Sequence, residues 1–243
     1  MKIIAPHYYN DFRCIAGACR HTCCQGWEVD IDEESLPRYR AMADITPYID
    51  ETDTPHFRLS EDERCPFLNN DNLCDLIIHH GEDVLCQICR DHPRFRSFWS
   101  NRTEIGLGLV CEEAGRLILS QKEPMRLIVL SDGGDVAPIP EDEAWLWDYR
   151  DELLRSITET GPRARLMEYL IFRHLPDALY DGRLDARVAF IEQSYCEITA
   201  AWSQTDGSIA ALAECARAWS YDVEYDDEEL ERRLCALDTT SNV

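Results

Sequence analysis

The segment Phe12-Arg13-Cys14-Ile15-Ala16-Gly17-Ala18-Cys19-Arg20-His21-Thr22-Cys23-Cys24-Gln25-Gly26-Trp27 contains four cysteines within eleven residues. Their spacing is C-x4-C-x3-C-C, with small residues between the first two. Thiolates are strong ligands for zinc and for iron–sulfur clusters, so this density is typical of a compact metal-binding loop. We therefore expect the N-terminal part of the chain to fold around this loop.

The distribution of the other cysteines supports this expectation. The 243-residue chain has twelve cysteines, of which nine lie between Cys14 and Cys111. No stretch is apolar enough to span a membrane, and residues 1–10 lack the apolar run of a secretory signal, so the sequence predicts a cytoplasmic protein. Because the cytosol disfavours disulfides, clustered cysteines there indicate metal binding or catalysis.

The chain is strongly acidic, with a formal net charge of -23. Affinity for phosphates requires a basic surface, so this charge argues against binding to nucleic acid or to an anionic membrane. A basic or lysine-bearing protein is the partner that the charge favours. The oligomeric state cannot be predicted from these features.

Three further segments offer ligands to the first loop. Cys65 and Cys74 flank a turn-rich Asn/Asp segment, which predicts a tight hairpin or knuckle followed by a short helix. Cys86-x2-Cys89 has chelation spacing, although this motif alone is weakly specific. Cys111 lies at a predicted junction between a strand and a helix. The segments together supply enough thiols for one or two four-ligand sites.

Periodicity predicts an α+β fold in which a small cysteine-rich metal-binding domain, residues 1–131, precedes a mainly helical region, residues 141–243. A Gly- and Pro-containing linker, residues 132–140, separates them. In the first domain the pattern predicts strands near 27–31, 56–60, 95–99, 103–110 and 125–130, and helices at 32–45 and 112–120. In the second it predicts helices at about 141–160, 163–175, 184–203, 207–221 and 225–237. Four tryptophans are expected in the helical core: Trp145, Trp147, Trp202 and Trp219.

Individual cysteines differ in the roles that the sequence favours. Adjacent side chains of an extended chain point to opposite sides, so Cys23 and Cys24 would serve different metals, or one metal and the core. Cys86 is open between ligand and core residue. The three cysteines of the second half are expected to be small buried hydrophobes: Cys196, Cys215 and Cys235.

Other residues near the cysteines have weaker claims to a function. His21 and His92 stand beside cysteines and would complete a site, but surface or hydrogen-bonding roles are favoured. Arg90 and Arg94 would hold a carboxylate or stabilise cluster charge, with an exposed salt bridge as the alternative. The acidic residues 222–231 are expected to form a solvated face. The sequence contains no G-x-G-x-x-G after a strand, no Walker motif, no G-x-S-x-G and no H-E-x-x-H.

The combined pattern resembles the flagellin lysine N-methylase family, part of a wider group named for a CxxCxxCC zinc- or iron-chelating domain. The resemblance covers residues 8–120 and rests on Cys14-x4-Cys19-x3-Cys23-Cys24-x2-Trp27, Cys65-Pro66-Phe67-Leu68 with Cys74, Cys89-x3-Pro93-Arg94, and Cys111. It implies an iron–sulfur cluster, or otherwise zinc, held by Cys14, Cys19, Cys23, Cys24, Cys65, Cys74, Cys89 and Cys111. Cys86 departs from the family pattern, in which a small residue such as serine is expected.

The same resemblance implies methyl transfer from S-adenosylmethionine to lysines of flagellin. A lysine amine must lose its proton before it attacks the methyl group, which requires a desolvated pocket or a general base. No catalytic residue or S-adenosylmethionine-binding residue can be named; Tyr8, Tyr9 and Asp11 are base candidates only by proximity, and core or capping roles are favoured. The alternatives are a non-catalytic metal-stabilised module that binds a basic protein, and a thiol redox protein that uses Cys86 and Cys89.

Overall fold

The computed structural model describes residues 1–134 and 138–240, and it divides into two compact units. We call Met1–Arg13 together with Pro93–Val243 the sheet unit, and Cys14–His92 the cysteine unit. The mixed strands and helices, with a helical C-terminal region, confirm the predicted α+β class. None of the helices within the described residues combines the length and the apolar composition that crossing a bilayer requires.

The regular elements are short in the first half of the chain and long in the second. The strands are β1 (Lys2–Pro6), β2 (Ile49–Asp50), β3 (His56–Phe57), β4 (Arg94–Phe98), β5 (Arg102–Leu107) and β6 (Leu127–Ser131). The helices are α1 (Ser35–Arg40), α2 (Asp75–His80), α3 (Gln87–Asp91), α4 (Glu112–Leu119), α5 (Glu141–Ser156), α6 (Gly161–His174), α7 (Ala178–Asp181), α8 (Leu184–Trp202), α9 (Ile209–Trp219) and α10 (Asp227–Thr240).

The sheet unit contains a four-stranded sheet with the order β4-β5-β1-β6. The strands β4 and β5 form an antiparallel hairpin, β1 runs parallel to β5, and β6 runs antiparallel to β1. Gly106 on β5 lies under an aromatic ring, because a Cβ at this position would stand 2.2 Å from Phe95 Cζ. The glycine therefore allows the two hairpin strands to pack closely.

Helices cover this sheet and share one hydrophobic core with it. The helix α4 packs on α6 and α9, while α8 packs on α6, α9 and α10. A buried ion pair ties β5 to α5, since Arg150 Nη1 and Nη2 donate to Glu104 Oε2 and Oε1 at 2.6 and 2.9 Å. A single turn of π-helix, Ser220–Glu224, follows α9.

The cysteine unit has little regular structure. Its strands β2 and β3 form a two-stranded sheet, and three isolated bridges connect the remaining loops. The core consists of Val29, Ile31, Tyr39, Ile45 and Phe57 with neighbouring side chains. Because so few backbone groups lie in ladders or helices, side-chain packing must account for much of the stability of this unit.

Most predicted elements are found in the structure with shifted ends. The helices α4, α5, α6, α8, α9 and α10 and the strands β4, β5 and β6 lie within the predicted segments or extend them by a few residues. The predicted strand at 27–31 forms only one bridge, between Asp30 and His56, and the predicted helix at 32–45 is limited to α1. Four elements were not predicted: the strands β1 and β2 and the short helices α3 and α7.

The compact units are divided differently from the predicted domains. The units separate after residues 13 and 92, whereas the predicted boundaries lie after residues 131 and 140. Residues 1–13 join the sheet unit because β1 pairs with both β5 and β6. The predicted domain boundaries stay a prediction; residues 135–137 of the predicted linker and residues 241–243 lie outside the described residues.

Several burial predictions for the helical region are wrong. Cys196 and Cys235 are exposed, and Cys215 is only half-buried, because these thiols lie toward the outer faces of their helices. Trp145 is 45% exposed, whereas Trp147 and Trp219 are buried as expected. Glu224, which was predicted to lie on a solvated face, is 4% exposed because the π-helical turn directs it into the core.

Candidate functional site

The first cysteine loop turns sharply at its adjacent pair of cysteines. Cys23 and Cys24 lie in a turn, and their side chains share a hydrogen bond. The chain is not extended there, so the argument that the two thiols point to opposite sides is wrong. Cys24 O accepts a hydrogen bond from Cys65 N at 2.8 Å, which fixes this loop against the second cysteine segment.

The second cysteine segment forms the predicted knuckle. Leu68 pairs with Cys74, and between them Asn69 Oδ1 accepts hydrogen bonds from the amides of Asp71 and Leu73, both at 3.0 Å. An asparagine side chain that receives two amides stabilises a tight turn without a strand ladder. The turn places Cys74 directly before α2 and brings its thiol close to the thiol of Cys65.

The third segment places two thiols on one turn of helix. Cys86 precedes α3 and Cys89 lies within it, and their side chains share a hydrogen bond. Asp32 Oδ2 accepts the Gln87 amide at 2.7 Å, and Asp32 Oδ1 accepts the Ser35 amide at 2.9 Å. Asp32 therefore accepts one hydrogen bond at the start of α1, as the sequence predicted, and a second one at the start of α3, which was not predicted.

Five thiols from these three segments meet in the core of the cysteine unit, and we call them the thiol cluster: Cys24, Cys65, Cys74, Cys86 and Cys89. Cys65 and Cys86 are buried, with Cys86 fully inaccessible to solvent, and the others are half-buried. The sequence left Cys86 open between ligand and core residue. The structure places it in the core, among the predicted ligands.

The thiols of the cluster differ strongly in pKa. The hydrogen bond from Cys23 lowers the pKa of Cys24 to about 7, and the bond with Cys89 lowers the pKa of Cys86 to about 7. Burial raises the pKa of Cys65 to about 12, and neighbouring thiols add to this effect. The bond with Cys86 raises the pKa of Cys89 as well. Cys24 and Cys86 are therefore the thiols of the cluster that ionise most readily.

Four predicted ligands lie outside the thiol cluster. Cys23, which shares a hydrogen bond with Cys24, is exposed. Cys14 is exposed, and its Sγ accepts the Ala16 amide at 3.3 Å, while Cys19 Sγ donates to His21 O at 3.2 Å. Cys111 belongs to the sheet unit, where it precedes α4 and packs on the hydrophobic core. The thiol cluster has the donor chemistry for zinc or iron. Nevertheless, within residues 1–134 and 138–240 no three His, Cys, Asp or Glu side chains are arranged to hold a metal ion.

The remaining candidates have structural contacts. The rings of His92 and Trp27 stack with centroids 6.5 Å apart, and the Arg94 guanidinium lies 5.3 Å from the centre of the Phe12 ring. Tyr8 is buried, and its hydroxyl points to Met125 Sδ at 3.9 Å. Burial raises the pKa of Tyr8, so this side chain is a poor general base. The burial of Tyr8 agrees with the core role that the sequence favoured for it, whereas the aromatic contacts of His92 and Arg94 were not predicted.

An acidic cavity of about 570 Å³ lies beside the thiol cluster in the cysteine unit. Gln87 and Ile88, the residues between Cys86 and Cys89, form part of its lining, which also includes four acidic residues: Asp30, Asp32, Glu33 and Asp91. We call this cavity the acidic groove. Burial opposes ionisation of Asp32, but its hydrogen bonds to Gln87 and Ser35 lower its pKa overall. The groove therefore offers negative charge next to thiols.

Sequence reasoning also missed a buried polar cluster in the sheet unit. Glu224 Oε1 accepts hydrogen bonds from the Tyr169 hydroxyl at 2.7 Å and from Arg173 Nε at 3.0 Å, and Glu224 Oε2 accepts from Ser220 Oγ at 2.5 Å. His174 Nε2 lies 3.4 Å from the same carboxylate. The only signal in the sequence is an isolated Arg-His pair on an apolar helix face, which does not reveal its partner.

The chain is similar to curated proteins named for lysine methylation and for flagellar biosynthesis. Two relatives named Lysine-N-methylase, from Salmonella typhimurium and Salmonella choleraesuis, are each 27% identical to it over 141 residues. A third, named Flagellar biosynthetic protein FliU, from Salmonella muenchen, is 26% identical over 139 residues. These similarities support a relationship to a flagellin-related methylase family.

The coverage of these matches is uneven. The similar region includes 52% of this chain in all three comparisons, but 35% of each lysine methylase and 82% of the FliU protein. This chain thus spans about a third of the length of the two methylases that it matches. No protein-family model matches the chain, and no solved structure matches it.

Proposed function

We propose that this chain is a protein lysine N-methyltransferase that acts on flagellin in the cytoplasm, with S-adenosylmethionine as methyl donor and a cysteine-held iron–sulfur cluster or zinc ion. The observation that carries the proposal is the similarity to the two proteins named Lysine-N-methylase. The name of the FliU relative supports a flagellar substrate. The gathering of five thiols in one core supports a metal held by cysteine.

The acidic groove gives the proposed reaction a place for a lysine side chain. At neutral pH a lysine is protonated, so the four carboxylates attract it into the groove. The neutral amine must then be formed before it attacks the methyl carbon of the sulfonium. The lysine ammonium first loses a proton to a carboxylate or to water. The neutral amine then forms the new C–N bond as the C–S bond breaks, and the thioether leaves. S-adenosylmethionine supplies the methyl group.

A methyl-transfer assay tests this proposal directly. Protein purified without oxygen, with its native metal content retained, is incubated with flagellin and S-adenosylmethionine carrying a labelled methyl group. Labelled N-methyllysine is expected in the flagellin hydrolysate. Incorporation that does not exceed that of a protein-free control, with iron or zinc verified in the sample, would contradict the proposal.

Two variants test the groove: one removes a charge from its lining, and the other removes a neighbouring charge outside the lining. Glu33→Gln removes a carboxylate of the groove, whereas Glu34→Gln changes an exposed carboxylate next to it outside the lining. We expect Glu33→Gln to raise KM for flagellin severalfold with little change in kcat, because an attraction made before the transition state is lost. Equal KM values for both variants would exclude the groove as the lysine-binding surface.

A second function is favoured by the same groove. A metal-stabilised module without catalysis would use the four carboxylates to bind a basic protein segment. It predicts saturable, salt-sensitive binding of a lysine-rich peptide with no methyl incorporation under the conditions of the transfer assay. Binding that requires S-adenosylmethionine would instead favour the methyltransferase.

A further inference from the structure

The sheet unit contains a cavity of about 320 Å³ that the proposed reaction does not use. It lies where the residues after β4 approach the start of α5 and the helix α7. Aromatic side chains from two of these segments line it, namely Phe98, Trp99 and Tyr180, together with the carboxylates Asp142 and Glu143. Its volume is sufficient for a single amino-acid side chain with a bulky head group.

The aromatic side chains are fixed although two of them are exposed. Trp99 is buried, stacks on Tyr180 with ring centroids 4.7 Å apart, and meets Trp147 edge-on at 5.4 Å. The Tyr180 hydroxyl donates to the Phe98 carbonyl. Tyr180 and Phe98 are nevertheless 66% and 60% exposed. The Tyr180 ring, which is held against Trp99, and the exposed Phe98 ring provide π-faces that attract cations.

Glu143, one of the two carboxylates of the cavity, lacks a full set of hydrogen-bond donors. Glu143 Oε1 accepts a hydrogen bond from the Ser100 hydroxyl. Glu143 Oε2 is inaccessible to solvent and has no hydrogen-bond partner among the described residues. A buried carboxylate oxygen without a donor is unfavourable, so the arrangement favours a ligand that brings an N–H group. Asp142 adds a second negative charge, and the described lining residues carry no basic side chain.

We propose that this cavity, which we call the ammonium pocket, binds the side-chain cation of an N-methylated lysine on a protein. Methyl groups spread the positive charge over a larger apolar surface, which aromatic faces bind well. Monomethyl- and dimethyllysine also keep an N–H that Glu143 Oε2 accepts, whereas trimethyllysine has none. The identity of this ligand rests on the proposed function, whose product is N-methyllysine, and the pocket would hold already methylated flagellin near the enzyme.

Peptide titrations of the full-length protein test the pocket without requiring turnover. The probes are one short peptide with its lysine unmodified, monomethylated, dimethylated, trimethylated or acetylated, and the readouts are tryptophan fluorescence and calorimetry. We expect the monomethyl and dimethyl peptides to bind most tightly and the neutral acetylated peptide not to saturate. Indistinguishable binding of the dimethylated and acetylated peptides would overturn the proposal.

Variants on α5 and α7 assign the binding to the pocket. Glu143→Gln is expected to weaken the dimethyl peptide about tenfold, because a charge-assisted hydrogen bond is lost. Glu152→Gln, an exposed carboxylate on the same helix outside the lining, is the matched control and should bind as the parent does. Tyr180→Leu removes an exposed ring and should weaken binding about threefold or more. Equal affinities of Glu143→Gln and Glu152→Gln would exclude the pocket.

The outcomes separate this proposal from the proposed function. Saturable binding of methylated peptides by a protein that transfers no methyl group leaves the ammonium pocket valid and refutes the methyltransferase. Methyl transfer by a protein that does not discriminate methylated from acetylated peptides refutes the pocket alone.

Discussion

In the cysteine unit the polar groups of the core are thiols, whereas in the sheet unit they are carboxylates matched to guanidinium and hydroxyl groups. The five thiols of the cluster come from loops and single helical turns. Glu104 and Glu224, by contrast, are held between long elements, and each has its charge balanced by an arginine. The sheet unit therefore pairs its buried carboxylates Glu104 and Glu224 with its own side chains, while the cysteine unit has donors suited to an added ion.

Removal of metal should produce the largest difference between the two units. If thiols of the cysteine unit hold zinc or iron, chelation under reducing conditions removes a binding free energy, which is about 10–16 kcal/mol for zinc in zinc-finger peptides. We expect amide hydrogen exchange to increase strongly in residues 14–92 and to change little in α6, α8 and α9. Equal protection of residues 14–92 before and after verified metal removal would show that this unit needs no metal.

Some elements of the two units follow from the sequence, whereas the pairing of the central strand does not. The helices α4 and α9 follow from periodicity, because each is amphipathic and buries one face. The knuckle between Cys65 and Cys74 follows from its turn residues. The pairing of β1 with β5 could not be predicted, because residues 2–6 show no alternation and their partner lies about a hundred residues away.

The candidate site was predictable only in its composition. The thiols of Cys24, Cys65, Cys74 and Cys89 meet as the spacing suggested, but spacing carries no information about the turn at Cys23 and Cys24. The acidic groove depends on Asp32, whose second hydrogen bond reaches across the unit to Gln87. Such tertiary contacts between distant loops leave no periodic signal in a single sequence.

Breaking the buried ion pair between Glu104 and Arg150 in the sheet unit should have the next largest effect on stability. Glu104→Ala leaves the Arg150 guanidinium buried without its bidentate partner, and we expect the free energy of unfolding to fall by about 3–5 kcal/mol in a urea titration. Arg40→Ala removes an exposed pair with Glu51 in the cysteine unit and should change the free energy of unfolding little, because solvent screens this pair. Similar losses for the two variants would contradict the difference between buried and exposed pairs.

The buried histidine of the sheet unit should make its stability depend on pH. Burial, with the charges of Arg173 and Arg187, holds the pKa of His174 well below its ordinary value, although Glu224 is near; that carboxylate is already neutralised by Arg173. The unfolded chain therefore binds a proton below about pH 6.5 that the folded chain does not bind. Stability from this group is complete above that pH and falls by up to about 1.4 kcal/mol per pH unit below it.

The variant His174→Gln isolates this contribution. It removes the titrating ring, so the difference in unfolding free energy between the parent and the variant should change with pH between about 6.5 and 5 and be constant above this range. Urea titrations at a series of pH values measure it. A difference that is independent of pH throughout would mean that His174 takes up a proton equally in the folded and unfolded chains.

Exposed cysteines should give the smallest effect and test whether burial, rather than residue type, distinguishes the two units. Cys196 lies exposed on α8, so Cys196→Ser should change the free energy of unfolding by less than about 0.5 kcal/mol. Cys65 is buried in the thiol cluster, and Cys65→Ser places a hydroxyl in an apolar core, which costs about 1–3 kcal/mol even without metal. Chelated samples of both variants, compared by urea titration, separate packing from metal binding. If Cys196→Ser lowered the free energy of unfolding as much as Cys65→Ser does, burial would not explain the difference between the two thiols.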